Sequence, residues 1–472
     1  MIPSVTLTSV TSVTSVTSDD ANLRLFSPQY RALVVGVVGI VVAVAFEAIA
    51  VATAMPVAAR ELHGLRGYGL AFSVFLTTSL LGMVVAGDMS DRRGPVRPFM
   101  VAAVSFALGL LVAGLATSMW LLVVARAVQG FGAGLNIVSL YVVVARAFPA
   151  GLRPRVFSAI SSGWILPSLI GPPVAGLLAD HVSWRWVFLG VLPLLLGAAL
   201  LVRPHLAGLD GPAAETATPR RSRLGAAVLA AVGAGLLQLG GQLLSGHPVP
   251  AAVLVLAGVA LLGLGVPRLL PAGAFRLGRG LPTVVVLRGV LAGAFFGTET
   301  FIPLMLVEQR SLATTLAGAS LTGAALTWSL GAWLQGRKGL RTPRSVLVTL
   351  GFVFVLVGIG LVAVATSDSV PAATAAAGWI VAGLGMGLGL TSLSVLVLEL
   401  SPVAEQGVNA SALQVSDALG SIVMIGTAGA VFAALATERP YGATPYLVID
   451  VVMATVCVAG ALVAHRVRPD TR

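Results

Sequence analysis

The sequence predicts an all-α integral membrane protein with fourteen transmembrane helices. Of its 472 residues, 57% are hydrophobic and 10% are charged, and the mean hydropathy is +0.98. So few charged residues could not cover the surface of a soluble globule. A helix needs about 20 apolar residues to cross a hydrocarbon layer roughly 30 Å thick, and stretches of that length recur along the chain.

The N-terminal half of the chain predicts a polar tail followed by six spans. Residues 1–30 contain a Thr-Ser-Val repeat without a basic region before an apolar core, which predicts a disordered cytoplasmic tail rather than a signal peptide. Residues 31–203 form a six-helix bundle, with spans predicted at 33–56, 69–87, 98–117, 120–145, 156–179 and 185–203. Residues 204–222, rich in Pro and Arg, form a cytoplasmic connector.

The rest of the chain predicts eight further spans. Residues 223–270 supply two extra transmembrane helices at 223–245 and 250–270, and residues 271–282 form a cytoplasmic loop. Residues 283–472 form a second six-helix bundle, with spans at 283–307, 312–335, 345–367, 371–400, 408–436 and 445–466. A degraded copy of the first Gly-rich loop after the tenth span, with Gln335 in the place of Asp91, indicates that the two bundles are related.

The positions of the basic residues test this topology, because Lys and Arg concentrate in short cytoplasmic loops. With both termini inside, 22 of the 29 Lys and Arg residues lie on the inner side, five lie on the outer side, and Arg126 and Arg288 lie in or beside spans. The count supports cytoplasmic termini. It does not distinguish an inserted hairpin at 223–270 from a peripheral one, but the length and apolarity of this hairpin favour insertion.

Several short motifs then indicate a family. They are Gly87-x-x-x-Asp91-Arg92-x-Gly94 after the second span, Arg126-x-x-Gln129-Gly130 in the fourth, Gly171-Pro172 with Gly176 in the fifth, Trp184-Arg185-Trp186 before the sixth, and Glu47 nine residues before Pro56 in the first. Together these motifs resemble the major facilitator superfamily, in particular its fourteen-span drug:proton antiporter group. The resemblance implies the major facilitator fold, two six-helix bundles with two extra linking helices. Pro95 and Asp88 depart from the family pattern.

The first loop motif has a physical rationale of its own. Gly87 and Gly94 allow a tight reversal, Asp91 can accept hydrogen bonds from helix N-terminal amides, and Arg92 can bridge to a neighbouring helix end. We expect this cluster to latch the two bundles together on the cytoplasmic side. The alternative is that its charge only fixes the topology.

Charged residues inside spans are the sharper candidates, because an ionised side chain at the membrane centre persists mainly when it is paired or lines a wet cavity. Four qualify: Glu47, Arg126, Glu299 and Asp417. At about 1.5 Å per residue, Glu47 and Arg126 both lie roughly 21 Å from the inner boundary and Glu299 about 22 Å, while Asp417 lies nearer that boundary.

The resemblance implies that the spans of Glu47, Arg126 and Glu299 line a central cavity. Burial favours the neutral form of a carboxyl group, so we interpret Glu47 as the proton carrier and Arg126 as its modulator; a purely structural ion pair is the alternative. Glu299 handles substrate or a proton, or caps a local break before Pro303. For Asp417, a helix-packing hydrogen bond competes with proton coupling. Asp450 and Glu399 are expected near span ends, within reach of water.

Other polar and aromatic residues complete the predicted site. Gln129 and Asn136 are expected to line the cavity with the aromatic side chains of Phe295, Phe296, Trp328 and Trp379, which suit amphipathic cations. Gly171, Pro172 and Gly176 resemble the exporter motif. They either bias which side of the cavity closes or only bend the helix.

Other classes of function lack support. The five histidines lie in loops or at span ends without ligand spacing, and no nucleophile–base arrangement, nucleotide-binding loop or channel filter motif occurs, so no enzyme activity, metal or cofactor is expected. Basic residues lie in separate loops, which argues against nucleic acid. The resemblance implies a monomeric, proton-driven exporter of small amphipathic or cationic molecules such as drugs, and the composition indicates a bacterial inner membrane. A lipid or metabolite exporter on the same fold is the alternative.

Overall fold

The computed structural model describes residues 25–149, 151–206, 209, 221–243, 246–335, 342–402, 405–436 and 442–468. These residues form α-helices joined by short turns. The predicted tail up to residue 24, most of the predicted connector, and the loop at 336–341 lie outside the described residues.

Eight helices make up the first part of the chain. They are α1 (Arg31–Glu61), α2 (Tyr68–Arg93), α3 (Val96–Gly114), α4 (Met119–Ala147), α5 (Arg153–Ser162), α6 (Ile165–His181), α7 (Arg185–Leu189) and α8 (Val191–Val202). The pairs α5–α6 and α7–α8 each form one broken span. Helix α6 continues through Pro172 and Pro173, and the interruption in this span lies earlier, between Ser162 and Ile165.

The remaining helices follow the connector. They are α9 (Arg221–Leu243), α10 (Pro248–Gly265), α11 (Leu281–Glu299), α12 (Ile302–Glu308), α13 (Thr314–Gln335), α14 (Arg344–Ala365), α15 (Ala373–Glu399), α16 (Gln406–Leu435) and α17 (Thr444–Val463). Helices α11 and α12 form one broken span. The break after Glu299 confirms the interruption predicted from Pro303, which becomes the second residue of α12.

Thirteen helical segments within the described residues are long and apolar enough to cross a membrane. Both extra helices, α9 and α10, are among them. The predicted tenth span is not, although it forms the 22-residue helix α13. Many Thr, Ser and Gly residues lower its apolarity. This composition is tolerable because α13 packs against α15, α6 and α1, and so borders protein along much of its length.

The two parts of the chain repeat one packing pattern. Helix α1 packs on α6 and α8, while α4 packs on α2 and α3. In the second part, α11 packs on α16 and α17, while α15 packs on α13 and α14. When the spans of each part are numbered from one to six, the first span packs on the fifth and sixth, and the fourth span packs on the second and third, in both parts. Helices α1 and α11 are equivalent, as are α4 and α15.

The two halves, α1–α8 and α11–α17, meet along two seams that are also equivalent. Helix α2 packs against α16, and α6 packs against α13. The hairpin α9–α10 lies outside the repeat: α9 contacts both α2 and α16, and α10 packs on α9. Gln238 of α9 donates a hydrogen bond to the Thr77 hydroxyl of α2 (3.3 Å). The hairpin thus covers the α2–α16 seam.

One end of the bundle is closed across these seams. This Arg60 end comprises the ends of α1, α6 and α12 and the beginnings of α2 and α13. Tyr68 donates a hydrogen bond to the Thr300 carbonyl across the halves (2.8 Å), and Gly69 of α2 meets Gly429 of α16 backbone to backbone. The opposite, Arg92 end contains the α2–α3 turn. The distribution of basic residues predicts that the Arg60 end is the outer one, and this orientation stays a prediction.

Close glycine contacts between helices generate a first prediction. A Cβ on Gly134 of α4 would lie 1.9 Å from the Ser79 carbonyl oxygen of α2, whereas a Cβ on Gly360 of α14 would meet no atom within 4 Å. We expect Gly134→Ala to destabilise the protein by about 1–3 kcal/mol through overpacking. Gly360→Ala should be neutral or stabilising by up to about 1 kcal/mol. Thermal unfolding in detergent compares the two, and equal melting temperatures would contradict the packing argument.

Candidate functional site

A buried ion pair joins α1 to α4 in the first half. Arg126 donates from Nη1 to Glu47 Oε1 and to Gln129 Oε1 (2.9 Å), and from Nε to the Ala71 carbonyl of α2 (3.3 Å). Its guanidinium lies 4.2 Å from the centre of the Phe75 ring. Glu47 is 0% and Arg126 2% exposed. The predicted pairing of Glu47 with Arg126 is therefore present, and it ties three helices together.

This network leaves polar atoms without partners. Glu47 Oε2 and Gln129 Nε2 are buried and have no hydrogen bond within the described part of the chain. Asn136, farther along α4, is also buried. Buried polar atoms without partners are rare and costly. Glu47 and Gln129 therefore keep unused hydrogen-bonding capacity in the interior, and their predicted roles in proton coupling and in the cavity stay predictions.

The second half has an acid in the equivalent pair of helices. Trp379 of α15 donates from Nε1 to Oε2 of Glu299 at the end of α11 (2.8 Å). Trp379 is the seventh residue of α15, and Arg126 is the eighth residue of the equivalent α4. Each half thus holds an acid on its first span and a donor at nearly the same place on its fourth span. The donor is a cation in one half and a neutral indole in the other.

The four predicted aromatic residues form one cluster beside Glu299. Phe295 stacks on Trp379 with ring centres 4.5 Å apart, and it meets Phe296 and Trp328 edge-on at 5.3 and 5.7 Å. Phe295 and Trp379 are buried, whereas Phe296, Trp328 and Glu299 are half-buried. The cluster therefore presents two aromatic rings and a carboxyl group on a partly accessible surface.

Asp417 has a partner that the sequence analysis did not assign. Arg288 of α11 donates from Nε to Asp417 Oδ2 of α16 (2.7 Å) and from Nη1 to the Leu390 carbonyl (3.1 Å) and the Ser394 hydroxyl (3.0 Å) of α15. Arg288 was one of two arginines inside or beside predicted spans. That rarity was the available signal, because an intramembrane arginine needs an acid partner.

Asp450 does not lie where the sequence analysis placed it. Its side chain is buried, with 4% exposure, in α17. The expected access to water near the span end is wrong because Asp450, the seventh residue of α17, faces the break between α11 and α12. Glu399, in contrast, ends α15, and its 53% exposed side chain pairs with Arg344 at 3.2 Å.

The predicted latch residues lie at the Arg92 end. Arg92 pairs within its own helix with Asp88 (2.7 Å), and 54% of its side chain is exposed. Gly94 adopts φ +83°, which explains a glycine at this turn. A Cβ on Gly87 would meet no atom within 4 Å. The Asp91 side chain lies outside the described part of the structure, so the role of Asp91 stays a prediction.

At the Arg60 end, polar side chains join the halves directly. Arg60 donates to Glu308 across the halves (2.7 Å), and Asp180 of α6 accepts from the backbone amides of Thr314 (3.2 Å) and Thr315 (2.9 Å) at the start of α13. A cavity of about 470 Å³ lies among these side chains. Sequence analysis missed these residues, because they are ordinary charged groups at helix ends until their partners are known.

The predicted exporter motif lies along the same seam. Gly171 of α6 lies against α1, where a Cβ would be 3.7 Å from Ile49. Gly176 lies against α13, where a Cβ would be 2.3 Å from the Cα of Thr315. The Pro172 carbonyl oxygen approaches Gly318 of α13. These small residues bring α6 into backbone contact with α13, so side chains larger than glycine at 176 would separate the halves.

Comparison with protein families decides the classification. Residues 35–425 match the Major Facilitator Superfamily. The chain belongs to this superfamily. Transport, rather than catalysis, is the activity that this family and fold indicate, and the fold is that of a multi-pass membrane transporter.

Curated members of the superfamily are similar to parts of the chain. An uncharacterized MFS-type transporter of Mycobacterium tuberculosis is 28% identical over 309 residues, which are 62% of this chain and 44% of the relative. A probable multidrug-efflux transporter of the same species is 28% identical over 288 residues, 59% of this chain and 60% of the relative. A multidrug efflux pump of Staphylococcus aureus is 25% identical over 158 residues, 34% and 35% of the two chains. The matches span less than two thirds of each relative.

Solved structures share the fold at low sequence identity. A POT family transporter in complex with 5-aminolevulinic acid superposes with a TM-score of 0.68 at 13% identity, covering 93% of this chain and 97% of that one. A mutant nucleoside transporter gives 0.63 at 13% identity, covering 93% and 100%. At such identities the likeness extends to the arrangement of helices and not to the substrate.

The Glu47–Arg126 pair generates a second prediction. Arg126→Gln leaves an uncompensated buried carboxylate, so we expect a loss of about 3–5 kcal/mol. Adding Glu47→Gln should recover much of that loss, because neither side chain is then charged. Thermal unfolding of both single variants and the double variant forms the cycle. Strictly additive losses would contradict direct coupling between the two side chains.

Proposed function

We propose that the protein is a proton-coupled secondary exporter of small amphipathic or cationic molecules. The observation that carries the proposal is the pair of equivalent acids, Glu47 and Glu299, whose donors differ in charge. Arg126 compensates Glu47, but Trp379 brings no positive charge to Glu299. A group that binds Glu299 strongly in the interior should therefore supply that charge, either as a proton or as a cation.

Competition at Glu299 provides a mechanism for antiport. A half-buried carboxylate can hold a proton or pair with a substrate cation, and each excludes the other. The half-buried rings of Phe296 and Trp328 lie beside it, and aromatic faces attract organic cations. Loading of a proton from one side would then expel the substrate, and loading of substrate from the other side would expel the proton.

Glu47 and Arg126 couple the proton to the helices in this proposal. Protonation of Glu47 removes the charge that holds Arg126, whose other bonds reach α2 and Gln129. Helices α1, α2 and α4 would then have two packing arrangements that bind the proton with different affinity. Because the proton is the ligand that distinguishes them, its binding shifts the equilibrium between the two arrangements. Gln129 and Asn136 serve as polar groups of the cavity. Asp417 contributes through its pair with Arg288.

Alternating access follows from the two ends of the bundle. The structure is joined at the Arg60 end through Arg60, Glu308 and Asp180. We propose that these contacts open when the opposite end closes, and that Gly87, Asp91, Arg92 and Gly94 then latch the halves. Gly171, Pro172 and Gly176 guide the movement of α6 along α13.

Several finer assignments belong to the same proposal. The protein works as a monomer of the fourteen-span drug:proton antiporter group, with α13 as its tenth span. It lies in a bacterial inner membrane with both termini in the cytoplasm. Relatives named for multidrug efflux support export of drug-like molecules. A lipid or metabolite exporter on the same fold is the alternative, which a panel of substrates distinguishes.

Proton coupling can be tested in proteoliposomes. We expect wild-type protein to release protons from its inner cavity when a cationic dye or antibiotic from a panel is added. Glu299→Gln should lower affinity for cationic substrates roughly tenfold or more, since a hydrogen bond to a charged group contributes about 1.5–3 kcal/mol, and Glu47→Gln should abolish proton-driven uptake. The exposed Glu399→Gln is the control. Proton-driven transport of cations at the wild-type rate in both cavity variants would refute the proposed roles.

The closure at the Arg60 end gives a further prediction. In a Cys457→Ala background, which removes the one native cysteine, Arg60→Cys with Glu308→Cys should be joined by a short, reducible bifunctional thiol cross-linker. The long Arg60 and Glu308 side chains meet across the halves, so the shorter cysteines leave a gap that the cross-linker spans. The cross-linked protein should lose transport, and a reducing agent should restore it. Each single-cysteine variant, treated in parallel, is the control. Full transport by a completely cross-linked protein would show that this end does not need to open.

A further inference from the structure

A second buried acid of the C-terminal half lies outside the network described so far. Asp450 of α17 lines a small cavity, about 10 Å³ for the centre of a water molecule, which suffices for roughly one water. Its Oδ2 atom is buried and has no hydrogen bond within the described part of the chain. A carboxyl oxygen directed into such a cavity marks a site for a very small ligand.

The cavity lies at the break between α11 and α12. Thr298, at the end of α11, shares the cavity wall with Asp450, and its buried hydroxyl also has no hydrogen-bond partner among the described residues. Interrupted membrane helices are common places for ion and proton sites, because they expose polar backbone and side-chain atoms inside the bundle. Thr298 immediately precedes Glu299, whose carboxyl bonds Trp379 on another side of α11. Two acids therefore flank one helix break.

Charges around Asp450 limit what it can hold. Met305 of α12 and Val362 of α14 line the cavity with apolar side chains, and Phe432 of α16 packs on Tyr446, which lies beside Asp450. Tyr446, one turn before Asp450 on α17, is the other titratable group among the described residues that line the cavity, and none of them is Arg or Lys. An ionised carboxylate there would lack a cationic partner within the lining, which makes the charged form costly.

We propose that Asp450 is a second proton-binding site of the C-terminal half, holding a proton beside the helix break that carries Glu299. The cavity is too small for an organic substrate, and the uncharged lining favours a neutral carboxylic acid. The inference rests on the proposed proton coupling for its use in transport, but the bound proton can be observed without transport. The site would store a proton on one side of α11 while Glu299 exchanges its own on the other.

Infrared spectroscopy of the full-length protein in lipid nanodiscs tests this directly. A protonated carboxyl group has a C=O stretching band that a carboxylate lacks. At neutral pH, Asp450→Asn should remove the band of one carboxylic acid per chain. Thr298→Val should shift that band without removing it, and this variant tests the site even if Asp450→Asn folds poorly. Asp368→Asn, at an exposed acid, should leave the carboxylic acid C=O region unchanged.

The outcomes separate this site from the proposed function. Glu299→Gln identifies the infrared band of Glu299 independently. If the Asp450 band is present but substrate releases no protons, the antiport mechanism is refuted while the proton-binding site at Asp450 is retained. An unchanged carboxylic acid region in a folded Asp450→Asn protein, with no shift in Thr298→Val, would overturn the site. Loss of the Asp450 band when sodium replaces potassium would also overturn it, in favour of a sodium site.

Discussion

Compensation of buried charge is the constraint on which this architecture depends. An ionised side chain inside a membrane bundle is costly unless it has a counter-charge or lines a water-filled cavity, and a carboxylate that lacks both takes up a proton instead. In the first half Arg126 pairs with Glu47, and in the second half Arg288 pairs with Asp417. Both pairs connect different helices. The charges therefore hold the helices together, and any change of charge acts on helix packing.

Repetition of the fold makes the differences between its halves informative. Both halves use the same helix pairings, and both place an acid of the first span against a donor of the fourth. An arginine stands on one side and a tryptophan on the other. Equivalent geometry with unequal charge is a simple way to give one acid a fixed partner and to leave the other to exchangeable ones, with aromatic rings beside it.

Much of this arrangement could be predicted from the sequence, for identifiable reasons. Apolar length predicts the spans, Pro303 predicts the break after Glu299, and the depth of Glu47 and Arg126 predicts their meeting, because each is a local or one-dimensional property. The partners that a side chain meets on other helices are not a local property of the sequence. The pairing of Arg288, the burial of Asp450 and the contacts of Asp180 depend on which helix faces turn together. Helix α13 is less apolar than the other spans because it borders helices α1, α6 and α15, and these neighbours cannot be predicted from its own sequence.

The hairpin α9–α10 makes the two seams between the halves mechanically unequal. Along α6 and α13, glycines bring the two backbones into direct contact, and Asp180 bonds the start of α13. Along α2 and α16, helix α9 contacts both helices, and its Gln238 side chain donates a hydrogen bond to Thr77 of α2. In the proposed alternating-access movement, α9 has to shift against α2 or against α16. We therefore expect the hairpin to restrict the opening of the α2–α16 seam, which lipid alone would leave free.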